Sequence, residues 1–310
     1  MPVLRGSCVR ASFCGCWGRL PVFGLACGRG YRAMRLRADV RGAPELLAFL
    51  TGREIKCKYK RTVLGQRWSL ANTTAAMLIY TVVFHFIIKV RPEPGNPSGL
   101  NVFAFWLMCG LLPWTFFTNV VNGGMASLVG NENLIKKVYF PRITLIVSSS
   151  VAALFTWSIE MLVLAVLLVV VGSHLFIWIP FVLGMMILLA LFSTGVALML
   201  SIANVYFRDT QHFVSILFQA WFYLTPILYP ISLVAKQSVR MGPLFGDVTL
   251  LDFYQLNPMV QFIEVFRNLM YDNRMPALST VAACVVWTVI VIAIGSWVFE
   301  HNQAKLAEAL

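Results

Sequence analysis

The chain has 310 residues, of which 59% are hydrophobic and only 12% are charged, and its mean hydropathy is +0.76. A soluble domain carries about 25% charged residues, so this charged fraction is half of what a water-facing surface needs. The composition therefore excludes a soluble enzyme, a disordered chain and a nucleic-acid-binding module, despite the formal net charge of +12. It indicates an integral membrane protein, whose apolar segments are counted in spans of about 20 residues.

The first 33 residues differ in composition from the rest of the chain. They contain four of the seven cysteines, at Cys8, Cys14, Cys16 and Cys27, without the Cys-x-x-Cys pair that would indicate a zinc site. Their apolar residues follow no helical period. We expect translation to begin at Met34, and residues 1–33 to be a disordered or non-native extension.

Residues 34–67 are predicted to form an amphipathic interface segment on the inner membrane surface. In this segment an apolar patch precedes a basic stretch, a pattern typical of helices that lie in the plane of the interface. A plain basic flank of the first span remains the alternative. The patch consists of Leu46, Leu47, Phe49 and Leu50, and the basic stretch runs from Ile55 to Arg61.

Residues 68–310 contain six long apolar runs without Lys or Arg. Each run is long enough, or nearly so, to cross a hydrocarbon core of about 30 Å as a helix. Their apolar character is continuous rather than alternating, which predicts an all-α membrane protein instead of a barrel. The six predicted transmembrane helices are Trp68–Ile88, Val102–Val121, Ile143–Val171, Trp178–Ala203, Phe213–Tyr229 and Pro276–Phe299.

The basic residues between these runs predict the orientation. Nineteen of the 25 Lys and Arg residues lie before the first span, in the connections 122–142 and 204–212, or in the C-terminal tail. The other connections hold six. Basic loops stay in the cytoplasm, so both termini are predicted to be cytoplasmic. The positive charge then needs no nucleic acid, since it is a topology signal that also attracts anionic membrane lipid.

The external connection 230–275 contains the pattern of a short amphipathic helix. Asn257 can cap the free amides at a helix start, and Pro258 suits the first turn. We interpret this helix either as a short re-entrant gate in the outer leaflet or as a helix on the membrane surface. Phe262, Ile263, Phe266, Leu269 and Met270 form its apolar face. Its remaining polar residues are expected to lie away from that face: Glu264, Arg267, Asn268 and Tyr271.

Two features within the spans are open to more than one interpretation. Glu160 is the only acidic residue in a span, and its carboxylate should face the protein interior, water or a partner group. Aromatic residues cluster in the second and fifth spans. They fit either anchoring at the membrane interface or stacking on the C–H faces of sugar rings.

Four ordered motifs carry a resemblance to a known family. They are Asn133–Arg142 (NLIKKVYFPR), Asn204–His212 (NVYFRDTQH), Trp221–Pro230 (WFYLTPILYP) and Leu256–Pro258 (LNP). With the segment Arg53–Gly65 before the first span, their order and spacing resemble type-2 ABC exporter permeases of the Wzm-like branch. That branch exports O-antigen, teichoic acid and related polysaccharides. The resemblance runs from about residue 44 to the end of the chain.

The resemblance implies a transport subunit of the cell membrane rather than an enzyme. It implies a homodimer of this chain with two copies of a Wzt-like ATP-binding subunit, and a lipid-linked polysaccharide as substrate. ATP and Mg²⁺ would bind to the partner, in keeping with the lack of a G-x-x-x-x-G-K-[ST] motif here. Likeness to mycobacterial galactan export permeases makes galactan the expected polysaccharide. A drug or lipid exporter of the same fold and a membrane-embedded glycan-assembly enzyme are the alternatives.

The resemblance also implies site residues, none of them catalytic or metal-binding. The ATPase-coupling residues are Asn131, Glu132, Leu134, Ile135, Lys136, Lys137, Tyr139, Phe140, Pro141 and Arg142. The channel-lining residues, with Glu160 added as the acid within a span, are Trp106, Trp114, Phe117, Glu160, Trp221, Phe222 and Tyr223. The cytoplasmic gate is Arg208 and Asp209, and the external gate is Asn257, Pro258, Phe262 and Phe266.

Overall fold

A computed structural model describes residues 45–56, 67–87, 94–137, 140–241 and 249–303. The extension 1–33, the expected start at Met34 and most of the basic stretch after Ile55 lie outside these ranges. Every regular element in the described ranges is helical, and all of them fall within the unit Gly42–Leu310. The all-α prediction is confirmed for this part of the chain.

The described helices are numbered α1 to α11 in chain order. Their bounds are 45–56 (α1), Arg67–Tyr80 (α2), Phe103–Gly130 (α3), Glu132–Lys137 (α4), Ile143–Val170 (α5), Ile179–Tyr206 (α6), Thr210–Leu224 (α7), Ile231–Met241 (α8), Leu250–Leu256 (α9), Pro258–Arg267 (α10) and Leu278–Asn302 (α11). Two of them continue as π-helical turns, Thr81–Ile87 after α2 and Asn268–Asp272 after α10. A 3₁₀ turn, Leu175–Ile177, precedes α6.

Among the described helices, four are long and apolar enough to cross a membrane: α3, α5, α6 and α11. At 28 residues, α3, α5 and α6 are each about 42 Å long, which exceeds the hydrocarbon core. These four helices lie at the positions of the second, third, fourth and sixth predicted spans and have the length that a span requires. A shorter apolar stretch, Leu70–Phe84, runs through α2 into the π-helical turn after it, at the position of the first predicted span.

The fifth predicted span is not one continuous helix. α7 has 15 residues, about 22 Å at the usual helical rise, and ends at Leu224 instead of reaching Tyr229. Pro226 explains this end, because a proline disfavours the helical conformation of the residue before it. Thr225 accordingly has an extended backbone, with φ −99° and ψ 133°.

α3 continues past the predicted end at Val121 because its small and polar residues pack against α6. A Cβ on Gly124 would lie 2.8 Å from the Cβ of Ala197, so only glycine allows this approach. The side chain of Asn204 donates from Nδ2 to the carbonyl oxygen of Met125, at 3.1 Å. Residues that interrupt the apolar run in the sequence therefore form a helix–helix contact instead of a loop.

α6 and α11 cross at a pair of glycines. A Cβ on Gly295 would overlap the carbonyl oxygen of Gly195, and one on Gly195 would lie 3.0 Å from the backbone of α11 at Ile292. Cys284, Thr288 and Phe299 are buried on the same helix. Val286, Val289 and Trp297 are exposed apolar side chains, as expected of a helix that faces lipid on its other side.

The connections between helices gather at two ends of the bundle. At one end, here called the α4 end, Arg53 of α1 contacts Asn131 beside α4, and Arg142 donates to the carbonyl oxygen of Gln303 after α11. At the other, the α10 end, the hydroxyl of Ser173 donates to Asn273, at 3.0 Å. The connections that meet at the α4 end are those that the distribution of Lys and Arg predicts to lie on one side of the membrane.

Candidate functional site: the α4 end and the aromatic cluster

α1 confirms that the residues before the first span form a helix. Leu50 is fully buried and Leu46 packs against the core, one helical turn apart. Phe49 is 71% exposed, so the four apolar residues of the predicted patch do not share one packed face. Successive residues of an α-helix point about 100° apart, which separates Phe49 from Leu50.

Arg53 fastens α1 to the turn between α3 and α4. Its Nη2 donates to Oδ1 of Asn131 at 2.6 Å and also reaches Glu54 at 3.3 Å. Asn131 in turn donates from Nδ2 to the carbonyl oxygen of Ser127, at 2.8 Å. α1, α3 and α4 are therefore joined through one polar network at the α4 end.

α4 exposes charge and turns part of its apolar surface inward. Lys136 and Glu132 form an ion pair of 2.6 Å, one turn apart. The hydrogen bond from Lys136 and its charge hold the pKa of the Glu132 carboxyl below its ordinary value, and the charge of Arg208 adds to this. Ile135 is 5% exposed and packs into the chain's own core. The surface open to a partner is formed by Asn133, Lys136 and Lys137.

The other predicted coupling residues lie close to the core or to α11. Leu134 and Phe140 are partly buried and pack against the core, and Pro141 is partly buried as well. Arg142 is engaged with the carbonyl oxygen of Gln303. Tyr139 lies outside the described residues. The coupling role of this segment stays a prediction.

The turn between α6 and α7 is exposed at the α4 end. Arg208 and Asp209 both face solvent, and no ion pair joins them. Asp209 directly precedes α7 without capping it through its side chain. The electrostatic effect of Arg208 on Glu132 places this turn near α4, so the two predicted sites belong to one surface.

The predicted channel aromatics of α3 and α7 pack on one another. In this aromatic cluster, Trp114 and Phe117 of α3 contact Trp221 of α7 edge to face, with ring centroids 5.8 and 5.5 Å apart. Phe218 and Phe222 of α7 complete it. Such edge-to-face pairs are favourable because the positive ring edge meets the negative face.

Within one chain these aromatics are not equally accessible. Phe117 is 0% exposed, and Trp106, Trp114 and Phe222 are buried. Tyr223 is 56% exposed, and Trp221 is partly exposed. Sequence reasoning missed two members of the cluster's surroundings, Phe192 of α6 and Tyr80 of α2, which contact Phe117 and Phe222. Channel lining stays a prediction for all of these residues.

Glu160 is buried, with 8% exposure, on α5. The small residues that precede it allow α3 to approach, since a Cβ on Gly123 would lie 2.7 Å from the hydroxyl oxygen of Ser149. A cleft of about 620 Å³ remains between α1, α3 and α5 beside these residues. Its burial agrees with the first of the three expected surroundings, the protein interior, and its role as a channel residue stays a prediction.

Asn257 begins α10 as predicted and also reaches the aromatic cluster. Its Oδ1 accepts a hydrogen bond from the backbone amide of Met259 at 3.0 Å, with Pro258 in the first turn. The same oxygen accepts from Nε1 of Trp221, at 3.1 Å, and Nδ2 donates to the hydroxyl of Thr225, at 3.2 Å. One amide therefore joins the start of α10 to the end of α7.

α10 is enclosed by other helices and does not lie on a surface. Its apolar face is buried as predicted: Phe262 packs on Phe192 and Phe266 on Trp157, with centroids 5.4 and 5.8 Å apart. The expectation that Asn268 and Tyr271 lie away from the buried face is wrong, because both are buried. The hydroxyl of Tyr271 donates to the carbonyl oxygen of Leu100, at 2.8 Å.

Arg267 is likewise turned inward. Its guanidinium stacks on Trp106 of α3, 3.6 Å from the ring centroid. Nη1 and Nη2 donate to the carbonyl oxygens of Pro226 and Ile227, each at 2.7 Å. Because α3 and the turn after α7 flank α10, the helix is buried on more than its apolar face. No sequence pattern revealed this contact.

Residues 45–271 match the ABC-2 type transporter family. The chain belongs to this family. It is 30% identical over 266 residues to the O-antigen export system permease protein RfbA of Myxococcus xanthus, a match that covers 86% of this chain and 95% of the relative. A relative of the same name from Klebsiella pneumoniae is 27% identical over 271 residues, with the same coverage. The polysialic acid transport protein KpsM of Escherichia coli is 20% identical over 257 residues, covering 82% of this chain and 92% of the relative.

As an ABC-2 type transporter, the chain is a multi-pass protein of the cell membrane. The family match confirms the resemblance found from the four motifs, and it begins at α1. The matched range also contains α4, the aromatic cluster and α10, so the described candidate sites lie within the family's own domain.

Proposed function

We propose that this chain is the permease subunit of an ATP-driven exporter of a lipid-linked polysaccharide. Two copies of the chain would form the channel, and two copies of a separate ATP-binding subunit would supply the energy. α2 and α7 would cross the membrane together with the four long helices, which makes six spans with both termini in the cytoplasm. The observation that carries the proposal is the match to O-antigen export permeases along 95% of their length.

The α4 end is proposed as the surface that contacts the ATP-binding subunit. Lys136 and Lys137 are exposed there, and Arg208 is exposed in the turn between α6 and α7. Arg53 ties α4 through Asn131 to α1 and α3. A movement of the partner on ATP binding would therefore displace α4 together with α3 and α1, and not α4 alone.

The aromatic cluster supports a carbohydrate substrate. Tyr223 and Trp221 keep exposed surface on α7, and they offer aromatic faces to which the C–H faces of sugars can stack. Phe117 and Trp114 pack against Trp221, and Phe222 contacts Tyr223. Galactan is the proposed polysaccharide, and it would pass outward in repeated ATP-driven cycles.

Depletion of the chain from its own cells tests the transport function. We expect a lipid-linked galactan to accumulate in the cytoplasm and to disappear when the wild-type chain is re-expressed. Its lipid carrier and sugars are identified by mass spectrometry of extracted glycolipids. Export that continues unchanged, with no intracellular glycan, would exclude polysaccharide export and favour a drug or lipid exporter.

Charge reversal tests the coupling surface. We expect Lys136→Glu with Lys137→Glu to reduce co-purification with the ATP-binding subunit and to reduce galactan export. Lys236→Glu with Arg240→Glu is the matched control, since both residues are exposed on α8 at the α10 end. If both double variants co-purify with the ATP-binding subunit to the same extent, that subunit binds at another surface of the chain.

A further inference from the structure

A polar pocket of about 250 Å³ lies at the α10 end of the bundle. Its wall is built from Trp106 of α3, Ser232 of α8, Glu264 of α10 and Arg274, which follows the π-helical turn. It lies apart from the coupling surface, because Trp106 and Gly130 are at opposite ends of α3, roughly 36 Å apart at the usual helical rise. Neither the coupling residues nor the aromatic cluster of α7 contributes to it, and no role has yet been given to it.

The charged side chains around this pocket sum to zero net charge, and most of them contact another side chain or the backbone. The described wall contains two arginines, Arg267 and Arg274, and two acids, Glu264 and Asp272. Arg274 pairs with Asp272 at 3.2 Å and donates from Nε to Asn268, at 2.8 Å. Arg267 has both terminal nitrogens committed to backbone carbonyls. Because the two arginines and the two acids cancel, the described wall has no net charge that would favour a phosphate or carboxylate ligand.

Other groups in the wall have hydrogen-bonding capacity left. The carboxylate of Glu264 forms no hydrogen bond or ion pair with another described residue, and the hydroxyl of Ser232 and the amide of Asn96 form no hydrogen bond there either. All three residues are at least partly exposed. Together they offer a strong acceptor, a donor-acceptor hydroxyl and an amide with both functions. A ligand rich in hydroxyl groups and without charge can use all three.

We propose that this pocket binds one neutral sugar unit of the glycan as it emerges on the outer side. The proposal rests on the proposed polysaccharide export. A drug-sized ligand fills a pocket of about 300–1,000 Å³, so this smaller pocket suits a single sugar ring and not a branched chain. Pro94, Pro226 and Pro230 supply apolar wall for the C–H face of the ring. Glu264 accepts hydrogen bonds from its hydroxyls.

Site-specific photo-crosslinking in exporting cells tests this proposal. A benzophenone amino acid replaces Ser232 in the full-length chain, and galactan is labelled with radioactive galactose. Val239 on the same helix, which is strongly exposed and not part of the pocket wall, is the matched control position. We expect a labelled permease adduct from position 232 and only background from position 239.

A second variant tests the role assigned to Glu264. Glu264→Gln keeps the shape and one acceptor but removes the charge-assisted hydrogen bonds, so we expect the adduct at position 232 to fall about tenfold at limiting glycan. Cells that export galactan but give equal adducts at 232 and 239 overturn the pocket proposal and leave the proposed function intact. An unchanged adduct with Glu264→Gln also overturns it. Cells whose wild-type chain exports no galactan overturn both.

Discussion

Arg267 joins three parts of the protein through one guanidinium group. Its planar fork meets two consecutive carbonyl oxygens after α7 while its face covers the indole of Trp106. Lysine cannot reproduce this arrangement, because an ammonium group has neither the fork nor the flat face. The carbonyls of Pro226 and Ile227 follow the end of α7, where the helix supplies no donors. Arg267 therefore holds the break after α7 against α3 and α10.

Replacement of Arg267 should destabilise the permease. Arg267→Met removes both hydrogen bonds and leaves two buried carbonyls unpaired, so we expect a loss of about 2–4 kcal/mol in the free energy of unfolding. Arg267→Lys should recover less than half of the loss. Thermal unfolding of the purified chain in lipid nanodiscs measures both. Arg240→Met, at an exposed site of α8, is the control, and equal Tm values for the two Met variants would contradict the role.

Asn257 is a second residue that joins helices. It accepts hydrogen bonds through its side-chain oxygen and donates one through its side-chain nitrogen, and substitutions can separate these two functions. Asn257→Ala removes the cap of α10 and the acceptor for Trp221, whereas Asn257→Asp keeps the acceptor and loses only the donation to Thr225. A lost cap costs about 1 kcal/mol. We expect faster hydrogen exchange in the first turn of α10 for the alanine variant than for the aspartate variant. Identical exchange in both would show that the cap has no effect.

At the scale of helices, the sequence predicts the helix positions that depend on local composition. It misses the helix ends and side-chain orientations that depend on contact with neighbouring helices. The long apolar runs predict α5, α6 and α11 closely, and Asn257 with Pro258 predicts the start of α10. The end of α3 is missed because Gly124 is small for the sake of packing on α6, and because Asn204 of α6 donates to the backbone of Met125 in α3. Arg267 is missed for a similar reason. Its inward position depends on contact with α3, and the periodicity of α10 gives no information about that neighbour.

The crossing of α6 and α11 gives a test of helix packing. Gly295→Ala adds a Cβ that would overlap the backbone of Gly195, so α11 must shift, and overpacking of this kind costs about 1–3 kcal/mol. The control is Gly184→Ala on α6, where a Cβ meets no atom within 4 Å. We expect a lower Tm for the first variant only, measured in nanodiscs. A Tm unchanged by Gly295→Ala would mean that the two helices cross less closely.

At the scale of the whole molecule, α3 connects the α4 end to the α10 end. It carries Trp106 near one end and leads directly into Asn131 at the other, and its 28 residues span about 42 Å. Its side chains contact α5, α6, α7 and α10 along the way. A movement that begins at α4 would thus reach the pocket and the guanidinium of Arg267 through a single continuous helix.

The proposed orientation follows from charge and can be tested on the intact protein. In the sequence, 19 of 25 basic residues lie before the first predicted span, in the connections 122–142 and 204–212, or in the C-terminal tail. Moving these segments across the membrane would be the costlier alternative, so the α4 end should stay in the cytoplasm. In a variant whose seven native cysteines are replaced by serine, we expect Val239→Cys to react with an impermeant maleimide in whole cells. Asn133→Cys, exposed on α4, should react only after the membrane is opened. Reaction of both positions from outside would refute the orientation, because the α4 and α10 ends must lie on opposite sides of the membrane.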